Sequence, residues 1–250
     1  MFAAGHRTGH GDTVKDISLM TLKTTTGDNM IALYYAMPKE IDSLLKDNAA
    51  ALMQTIAGVS FYKITDDIIA VAGGIGKVNA AMAAQLCISL YKPDIIINVG
   101  VAGCFKNVEI GTLMIADKYI QHDVDTTGCG DPIGLVSTVN IVEFPVSRTE
   151  QTKNILNQMN ISYLCGTGAT GDWFARHGER AKWIADTFHP LFIEMEGCAI
   201  AQVCMRNHVD FIALKSVSDC LFGNDNYDFN FPKAMENING IALKFAKALI

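Results

Sequence analysis

The chain has 250 residues, half of them hydrophobic, and a formal net charge of -6. This length and apolar content suffice for one large buried core, so we expect a single domain. The charges are mixed in sign without a basic cluster, which argues against nucleic-acid partners and against binding to an acidic membrane surface. No apolar stretch reaches the roughly 20 residues that a membrane-spanning helix needs.

The cysteines and the first residues of the chain bear on location and on domain limits. The seven cysteines include no C-x-x-C pair, and several lie within apolar runs such as 201–205. We therefore expect them to be small core residues of a soluble, cytoplasmic protein. Residues 1–29 show neither periodicity nor a secretory signal, so we predict a disordered extension or tag there and one domain over 30–250.

From Met30 onward, short apolar runs alternate with longer stretches of helical periodicity. The apolar runs predict strands at 31–36, 68–72, 95–99, 112–116, 192–195 and 211–217. Helices are predicted at 40–54, 77–90, 149–159, 179–188, 197–207 and 233–249, and the clearest loop is 128–132. This alternation is typical of crossover units, and continuous apolar runs are typical of strands buried on both faces. We predict a single-domain, three-layer α/β fold with a central mixed, mostly parallel sheet.

Ligands of open α/β sheets usually bind beyond the carboxyl ends of the strands. Polar residues directly after the predicted strands are therefore the first candidates for a site. Four segments meet this condition, at 37–40, 100–103, 194–196 and 218–219.

A glycine-rich loop, 73–77, lies between a predicted strand and a predicted helix. It resembles a nucleotide-binding loop but fails both standard tests, because Val78 follows the lysine where a Walker loop has Ser or Thr, and Asn79 stands where a dinucleotide fingerprint has Gly or Ala. The alternative interpretation is structural, with Gly76 permitting close packing of the strand against the helix.

Three acidic residues end or follow predicted strands, namely Glu40, Glu196 and Asp219. A carboxylate at the end of an apolar strand is costly to bury unless it has a partner or a function. For any one of them, an ion pair or a helix cap is a sufficient explanation. Three of them on one side of a single sheet favour a site.

Seven short segments together resemble the methylthioadenosine/adenosylhomocysteine nucleosidases, a family with the nucleoside phosphorylase fold. In chain order they are AMPKE at 36–40, GIGKVNAA at 74–81, PDIIINVG at 93–100, HDVD at 122–125, GDWF at 171–174, EMEGCA at 194–199 and SD at 218–219. Each segment alone is a weak signal, but their order and spacing span nearly all of 30–250. The resemblance implies hydrolysis of the bond between a purine and its ribose, and a nucleoside phosphorylase-like fold.

The resemblance implies a catalytic role for two of the carboxyl groups. Asp219, if burial keeps it protonated, would donate a proton to N7 of the departing purine. Glu40, ionised, would take a proton from the water that attacks the anomeric carbon. Glu196 would accept hydrogen bonds from the ribose hydroxyls, and Met195 would lie against the sugar. Both contacts become more stabilising as positive charge develops on the ribose ring.

The same resemblance implies the residues that contact the base. Phe174 would lie on the purine face, the backbone of Ala175 would read the base edge, and Trp173 and Ser218 would line the pocket. For the two aromatic residues, ordinary core packing is the alternative.

Two positions depart from the family pattern. Val101 replaces a Ser or Thr whose hydroxyl helps to hold phosphate or water, which argues against a phosphorylase, since that enzyme must bind a dianion through several donors. Lys215 replaces an arginine common in bacterial members and would orient Glu40 or the water; the alternative is that its side chain extends to solvent from the strand end.

The resemblance implies no cofactor and no metal, and it implies a homodimer in which the partner closes the pocket for the 5′ substituent. His122 and Asp123 are expected to shape a loop beside the site. His122, Asp123 and Asp125 lack a second set of metal ligands. The stretch from Asp225 is a poor calcium loop, with Tyr227, Phe229 and Asn230 at positions that need oxygen ligands or glycine, and we predict a polar surface loop. A phosphorylase of the same fold and a non-catalytic nucleoside-binding protein remain as alternatives.

Overall fold

A computed structural model describes residues 30–222 and 230–250. Its ten strands are β1 (Ile31–Tyr35), β2 (Ala51–Ile56), β3 (Val59–Lys63), β4 (Ile68–Ala72), β5 (Ile95–Cys104), β6 (Leu113–Gln121), β7 (Phe144–Pro145), β8 (Tyr163–Thr170), β9 (Phe192–Glu194) and β10 (Asp210–Cys220). Its helices are α1 (Pro38–Asp47), α2 (Lys77–Tyr91), α3 (Thr149–Gln158), α4 (Glu179–Phe188), α5 (Gly197–Asn207), α6 (Phe231–Met235) and α7 (Ile238–Leu249). The strands form one sheet, and the predicted fold class is confirmed.

The sheet is mixed and partly closed. Its order is β10-β6-β8-β9-β5-β1-β4-β3-β2, with β7 beside β6. Because β10 also pairs with β5 in parallel, the strands β5, β10, β6, β8 and β9 close into a ring. Parallel pairs join β1 to β4 and β5, while the outer hairpin β2–β3 and the pairs β6–β10 and β5–β9 are antiparallel.

Helices cover both faces of the sheet, because successive strand residues point to opposite sides. Along β1, Ala32 and Tyr34 belong to the core beneath α2 and α5. Ile31, Leu33 and Tyr35 belong to the core beneath α1, α3 and α7. A strand apolar on both faces therefore produces two cores and three layers, which explains the continuous apolar runs of the sequence.

Three parts of the predicted element order are wrong. The helix predicted at 40–54 ends at Asp47, and the predicted helix at 233–249 is two helices, α6 and α7. The segment after α1 instead forms the β2–β3 hairpin, whose turn has positive φ at Ala57 and Gly58. β2 is largely exposed, so its side chains carry no burial pattern that sequence periodicity could detect. The predicted loop 128–132 overlaps a short 3-10 turn, Thr127–Cys129.

The sequence analysis also missed β8, whose glycines lack strand propensity. Packing explains these glycines. A Cβ at Gly168 would lie 2.5 Å from Cε1 of Tyr119, and one at Gly166 would lie 2.9 Å from Cβ of Leu191. The strand is therefore selected by the large neighbours that cross its face, a tertiary effect.

Candidate active site

One cavity of about 280 Å³ opens among the ends of β5, β9 and β10 and the starts of α1 and α5. Its volume is close to the lower end of the roughly 300–1,000 Å³ typical of small-molecule sites. All ten residues predicted for the site line it: Glu40, Val101, Trp173, Phe174, Ala175, Met195, Glu196, Lys215, Ser218 and Asp219. Glu40, Glu196 and Asp219 are all buried, so the fold brings the three carboxyl groups to one place.

Glu40 is held by backbone donors at the start of α1. Its Oε2 accepts hydrogen bonds from the N–H groups of Ala36 at 3.1 Å and Met37 at 2.9 Å. Its Oε1 accepts a longer one from Val101 at 3.4 Å. Pro38 at the first helical turn lacks an N–H, which that position does not need. Burial raises the pKa of Glu40 despite the opposing charge of Lys215 and these hydrogen bonds, so the carboxylate is a stronger base than an exposed one.

Glycine at position 100 gives Glu40 its place against β5. A Cβ there would lie 2.7 Å from Oε1 of Glu40, closer than real contacts allow. The glycine therefore lets the carboxylate approach the strand. β5 continues through this region to Cys104, so Gly100 and Val101 lie within the strand. The sequence had predicted them to lie after it.

Asp219 also lies within a strand, because β10 extends to Cys220. The register of β10 against β5 shifts between Val217 and Asp219. Ser218 donates a hydrogen bond through Oγ to Oδ1 of Asp219 at 2.6 Å. A Cβ at Gly103 would lie 3.1 Å from Oδ2 of Asp219, so this glycine leaves the carboxyl group its room. The carboxyl group thus reaches the cavity from an irregular strand end.

Glu196 stands at the start of α5 and is bound by the glycine-rich loop. Its Oε1 accepts a hydrogen bond from the N–H of Gly76 at 2.8 Å. Burial raises the pKa of Glu196, and the negative charge of Glu194 raises it further. Gly76 has φ of +92°, which suits glycine, and the loop that fails as a nucleotide motif therefore serves this site as a donor.

Glu194 also lines the cavity, and the sequence predicted no role for it. It accepts hydrogen bonds from the N–H of Gly197 at 2.9 and 2.8 Å and from the hydroxyl of Thr170. It also pairs with Nζ of Lys215 at 3.3 Å, and that ammonium donates to Oδ1 of Asn98 at 3.1 Å. Residues two apart in a strand share a face, so alternation does not separate the two carboxylates; the chain ends β9 at Glu194 and caps α5 with Glu196.

Lys215 is 2% exposed, so the alternative in which it extends to solvent is wrong. Its described polar partners are Glu194 and Asn98, and it also lines the cavity. Its positive charge nevertheless acts on Glu40, because it lowers the pKa of that carboxyl group and so opposes the effect of burial. Lys215 therefore influences the base at a distance while it neutralises the buried Glu194.

Trp173, Phe174 and Ala175 form the apolar wall that follows β8. Phe174 is 52% exposed, so simple core packing does not describe it. The Trp173 ring contacts the guanidinium of Arg180 at 4.4 Å from the ring centre. A partly open aromatic face beside buried polar groups is suited to a flat, heterocyclic ligand.

His122, Asp123 and Asp125 do not converge. His122 is buried, its ring nitrogens have no hydrogen-bond partner among the described residues, and burial lowers its pKa to about 4. Asp123 pairs with Lys77 at 2.7 Å, whereas Asp125 accepts hydrogen bonds from Thr127 at the surface. Within 30–222 and 230–250, no group of three potential ligand side chains could hold a metal ion.

Two sequence predictions fall outside the described residues. These are the extension at 1–29 and most of the surface loop that begins at Asp225. In the part of the chain that is described, no helix has the length and apolar character required to cross a membrane.

Comparison with known proteins agrees with this architecture. The family model of the phosphorylase superfamily matches residues 30–247. A 5′-methylthioadenosine/S-adenosylhomocysteine nucleosidase of Anoxybacillus flavithermus is 33% identical over 206 residues, which cover 80% of this chain and 89% of the relative. The corresponding protein of Staphylococcus aureus is 33% identical over 208 residues, covering 80% of this chain and 90% of the relative.

Solved structures lead to the same family. The crystal structure of the Helicobacter pylori 5′-methylthioadenosine/S-adenosylhomocysteine nucleosidase, bound to a pyrrolidine inhibitor, has a TM-score of 0.79 and 27% identity. The match covers 90% of this chain and 98% of the other. The chain thus belongs to the 5′-methylthioadenosine/S-adenosylhomocysteine nucleosidase family of the phosphorylase superfamily.

Proposed function

We propose that the protein hydrolyses the N-glycosidic bond of 5′-methylthioadenosine, S-adenosylhomocysteine or a closely related adenine nucleoside, releasing adenine. The observation that carries this proposal is the meeting of Glu40, Glu196 and Asp219 around one cavity with an aromatic wall. The named relatives are nucleosidases of these two substrates. The reaction would thereby serve methionine salvage.

Departure of the purine needs a proton on the base, and Asp219 supplies it. The carboxyl group lies within the buried end of the cavity and accepts a hydrogen bond from Ser218. A protonated Asp219 donates to N7 as the bond to the sugar lengthens, so that the leaving group departs as neutral adenine. Phe174 covers the purine face, Trp173 extends that wall, and backbone groups of Ala175 bind the base edge.

Attack by water needs a base on the opposite side of the sugar, and Glu40 fills this role. An ionised carboxylate has about four acceptor sites. Backbone N–H groups use two at Oε2 and a weaker one at Oε1, so Oε1 retains capacity for the water. The raised pKa of Glu40 suits proton abstraction, and the charge of Lys215 favours the ionised form of the carboxylate.

Glu196 stabilises the positive charge that develops on the ribose. Its Oε1 is oriented by Gly76, and its burial keeps water from screening it. Hydrogen bonds from the ribose hydroxyls to Glu196 strengthen as the sugar becomes cationic, and Met195 packs against the ring. Burial and the charge of Glu194 make the anionic form of Glu196 costly in the empty site. The N–H of Gly76 and the charge of Lys215 offset part of this cost, and the cationic sugar of the transition state offsets more.

Val101 favours hydrolysis over phosphorolysis. Its side chain lines the cavity where a phosphorylase would need hydroxyl donors for a dianion, and only its N–H contributes a hydrogen bond, to Glu40. Phosphate should therefore have no effect on the rate.

We further propose that the protein is a cytoplasmic homodimer in which the partner closes the 5′ end of the cavity. Apolar side chains on α2 support this, because Val78 is 79% exposed and Met82, one turn later, is 36% exposed. Light scattering on the purified protein measures the mass directly. A monomer at micromolar concentration would contradict the dimer.

Release of adenine from each nucleoside, measured with and without phosphate, tests the function. Hydrolysis gives adenine and the free 5′-substituted ribose at a rate independent of phosphate. Phosphate-dependent release of a ribose 1-phosphate would instead establish a phosphorylase, and tight binding without release would establish a nucleoside-binding protein. Glu40→Gln is the matched inactive control, since it keeps the side chain's size and removes its basicity.

A further inference from the structure

A closed ring of hydrogen bonds lies behind the cavity wall. Nζ of Lys77 donates to Oδ1 of Asp123 at 2.7 Å and to Oε1 of Gln121 at 3.0 Å. The N–H of Asp172 donates to Oδ2 of Asp123 at 2.9 Å. The N–H of Lys77 donates to Oδ1 of Asp172 at 2.8 Å, which completes the ring. Three segments distant in sequence are thus joined at Lys77, Asp123 and Asp172.

Two of these segments carry residues of the proposed site. Gly76, which donates to Glu196, directly precedes Lys77. Trp173 and Phe174, which line the cavity, directly follow Asp172. A Cβ at Gly76 would lie 3.0 Å from Oδ1 of Asp172, so the two segments are in close contact.

The ring also reaches α5. Gln121, which accepts from Lys77, donates through Nε2 to Oε1 of Gln202 at 3.0 Å. Since α5 begins at Gly197, directly after Glu196, the ring is connected to both sides of that carboxylate.

The ion pair of Lys77 and Asp123 helps to hold the hydrogen-bonded ring in one arrangement. The side chains of Lys77 and Asp123 are 20% and 18% exposed, so their ion pair is largely shielded from solvent. Burial favours a higher pKa for Asp123, but hydrogen bonds from Lys77 and from the N–H of Asp172 outweigh it and hold the pKa below its usual value. Asp123 therefore stays ionised and paired at neutral pH.

We infer that Lys77, Asp123 and Asp172 are positioning residues, which set the distance between the aromatic wall and the ribose-binding Glu196. The cavity-lining residues that the structure describes include none of the three. They act through Gly76, whose N–H orients Glu196, and through the start of the 173–175 segment. This inference rests on the proposed function, because it assigns the ring to the binding of a ribose and a purine together.

Asp172→Ala tests the ring with little risk to folding, because Asp172 is exposed. It removes the acceptor for the N–H of Lys77 and releases the glycine loop. We expect kcat/KM for 5′-methylthioadenosine to fall by about 10- to 100-fold, since displacement of a site by about 1 Å can cost that much. Asp172→Asn keeps a side-chain oxygen that can accept from the N–H of Lys77. Its kcat/KM should therefore stay within about threefold of the wild-type value.

A double-mutant cycle shows whether the effect passes through Glu196. If Asp172 acts by positioning this carboxylate, Asp172→Ala combined with Glu196→Gln should lose little beyond Glu196→Gln alone. Fully additive losses would overturn the coupling of Asp172 to Glu196, on which the inference depends. Lys118→Met is the matched control, because it removes an ion pair of the same length, 2.7 Å to Glu143, at an exposed place remote from the ring.

Binding of 5′-methylthiotubercidin separates failure of this inference from failure of the proposed function. This analogue lacks N7, so its dissociation constant reports placement of the wall and of Glu196 without turnover. Wild-type protein that binds it and releases no adenine from 5′-methylthioadenosine overturns the hydrolytic function alone. If the Asp172→Ala variant keeps wild-type affinity and wild-type kcat/KM, the positioning role inferred for the hydrogen-bonded ring is overturned.

Discussion

Two neighbouring regions of the same cavity hold carboxylates that are equally buried and differently partnered. Glu194 meets Lys215, Thr170 and the N–H of Gly197, so its charge is neutralised and its acceptor sites are occupied. Glu196 has one hydrogen bond to its carboxylate in the described structure, from Gly76. Burial alone therefore does not mark a functional carboxylate. Spare acceptor capacity that faces a cavity does, because a ligand can supply what the protein withholds.

Lys215→Met would break the ion pair that neutralises Glu194. It leaves Glu194 buried without its cationic partner, and such losses typically cost about 3–5 kcal/mol. We expect the free energy of unfolding, measured in urea, to fall by that amount. Adding Glu194→Gln should recover part of the loss, because it removes the stranded charge. Lys118→Met breaks an exposed pair and should cost at most about 1 kcal/mol. Equal losses in Lys215→Met and Lys118→Met would contradict the distinction between the buried and the exposed pair.

Asp219→Asn would disable the proposed chemistry without breaking the pair of Lys215 and Glu194. We expect kcat to fall on the order of 100-fold or more, equivalent to about 2.7 kcal/mol of transition-state stabilisation, with the unfolding curve unchanged. The proton for the purine is lost, while the size of the side chain is kept. Steady-state release of adenine measures the effect. A normal rate would remove Asp219 from the proposed chemistry.

Glu196→Gln should separate activity from stability. Turnover should fall on the order of 100-fold, because the amide cannot match the carboxylate against a cationic sugar. The pKa of Glu196 is raised in the folded state, so its favourable contribution to stability is present below its unfolded pKa and is lost as the pH rises through the folded pKa.

The variant should therefore gain stability relative to wild type as the pH rises from about 4, the ordinary glutamate pKa, to about 8, the raised pKa of Glu196. Urea unfolding at several pH values measures this difference. If the free energy of unfolding of the variant instead falls relative to that of wild type as the pH rises, the charge of Glu196 is already compensated in the empty site.

The pH dependence of kcat/KM should show the ionisation of Glu40. The base must be ionised, and burial raises its pKa, so kcat/KM should decline as the pH falls through a value above the ordinary glutamate range. Wild-type and Glu40→Gln rates at pH 4–9 check this, because the variant should lose the part of the acid limb due to Glu40 and keep the part due to ionisation of Glu196. A wild-type profile that stays flat down to pH 4 would argue that water is activated elsewhere.

Gly100→Ala should have a smaller effect confined to the wall. The new Cβ would meet Oε1 of Glu40 at 2.7 Å, and the carboxylate would have to move. We expect kcat/KM to fall about tenfold, or about 1.4 kcal/mol, because the base loses its place but not its chemistry. Gly58→Ala, at a turn position with open space around it, is the comparison for a glycine with positive φ away from the site.

The order of buried strands and amphipathic helices was readable from the sequence because each burial pattern is local and repeats along one segment. That order also carried Glu40, Glu196 and Asp219 to one end of the sheet, where the strands and the helix starts meet. The exposed β2 and the glycine-rich β8 have no such pattern, since pairing and the rings of neighbours such as Tyr119 select them. The difference between Glu194 and Glu196, two residues apart, was likewise a tertiary matter. It depends on which distant groups, Lys215 or Gly76, the fold brings within hydrogen-bonding distance.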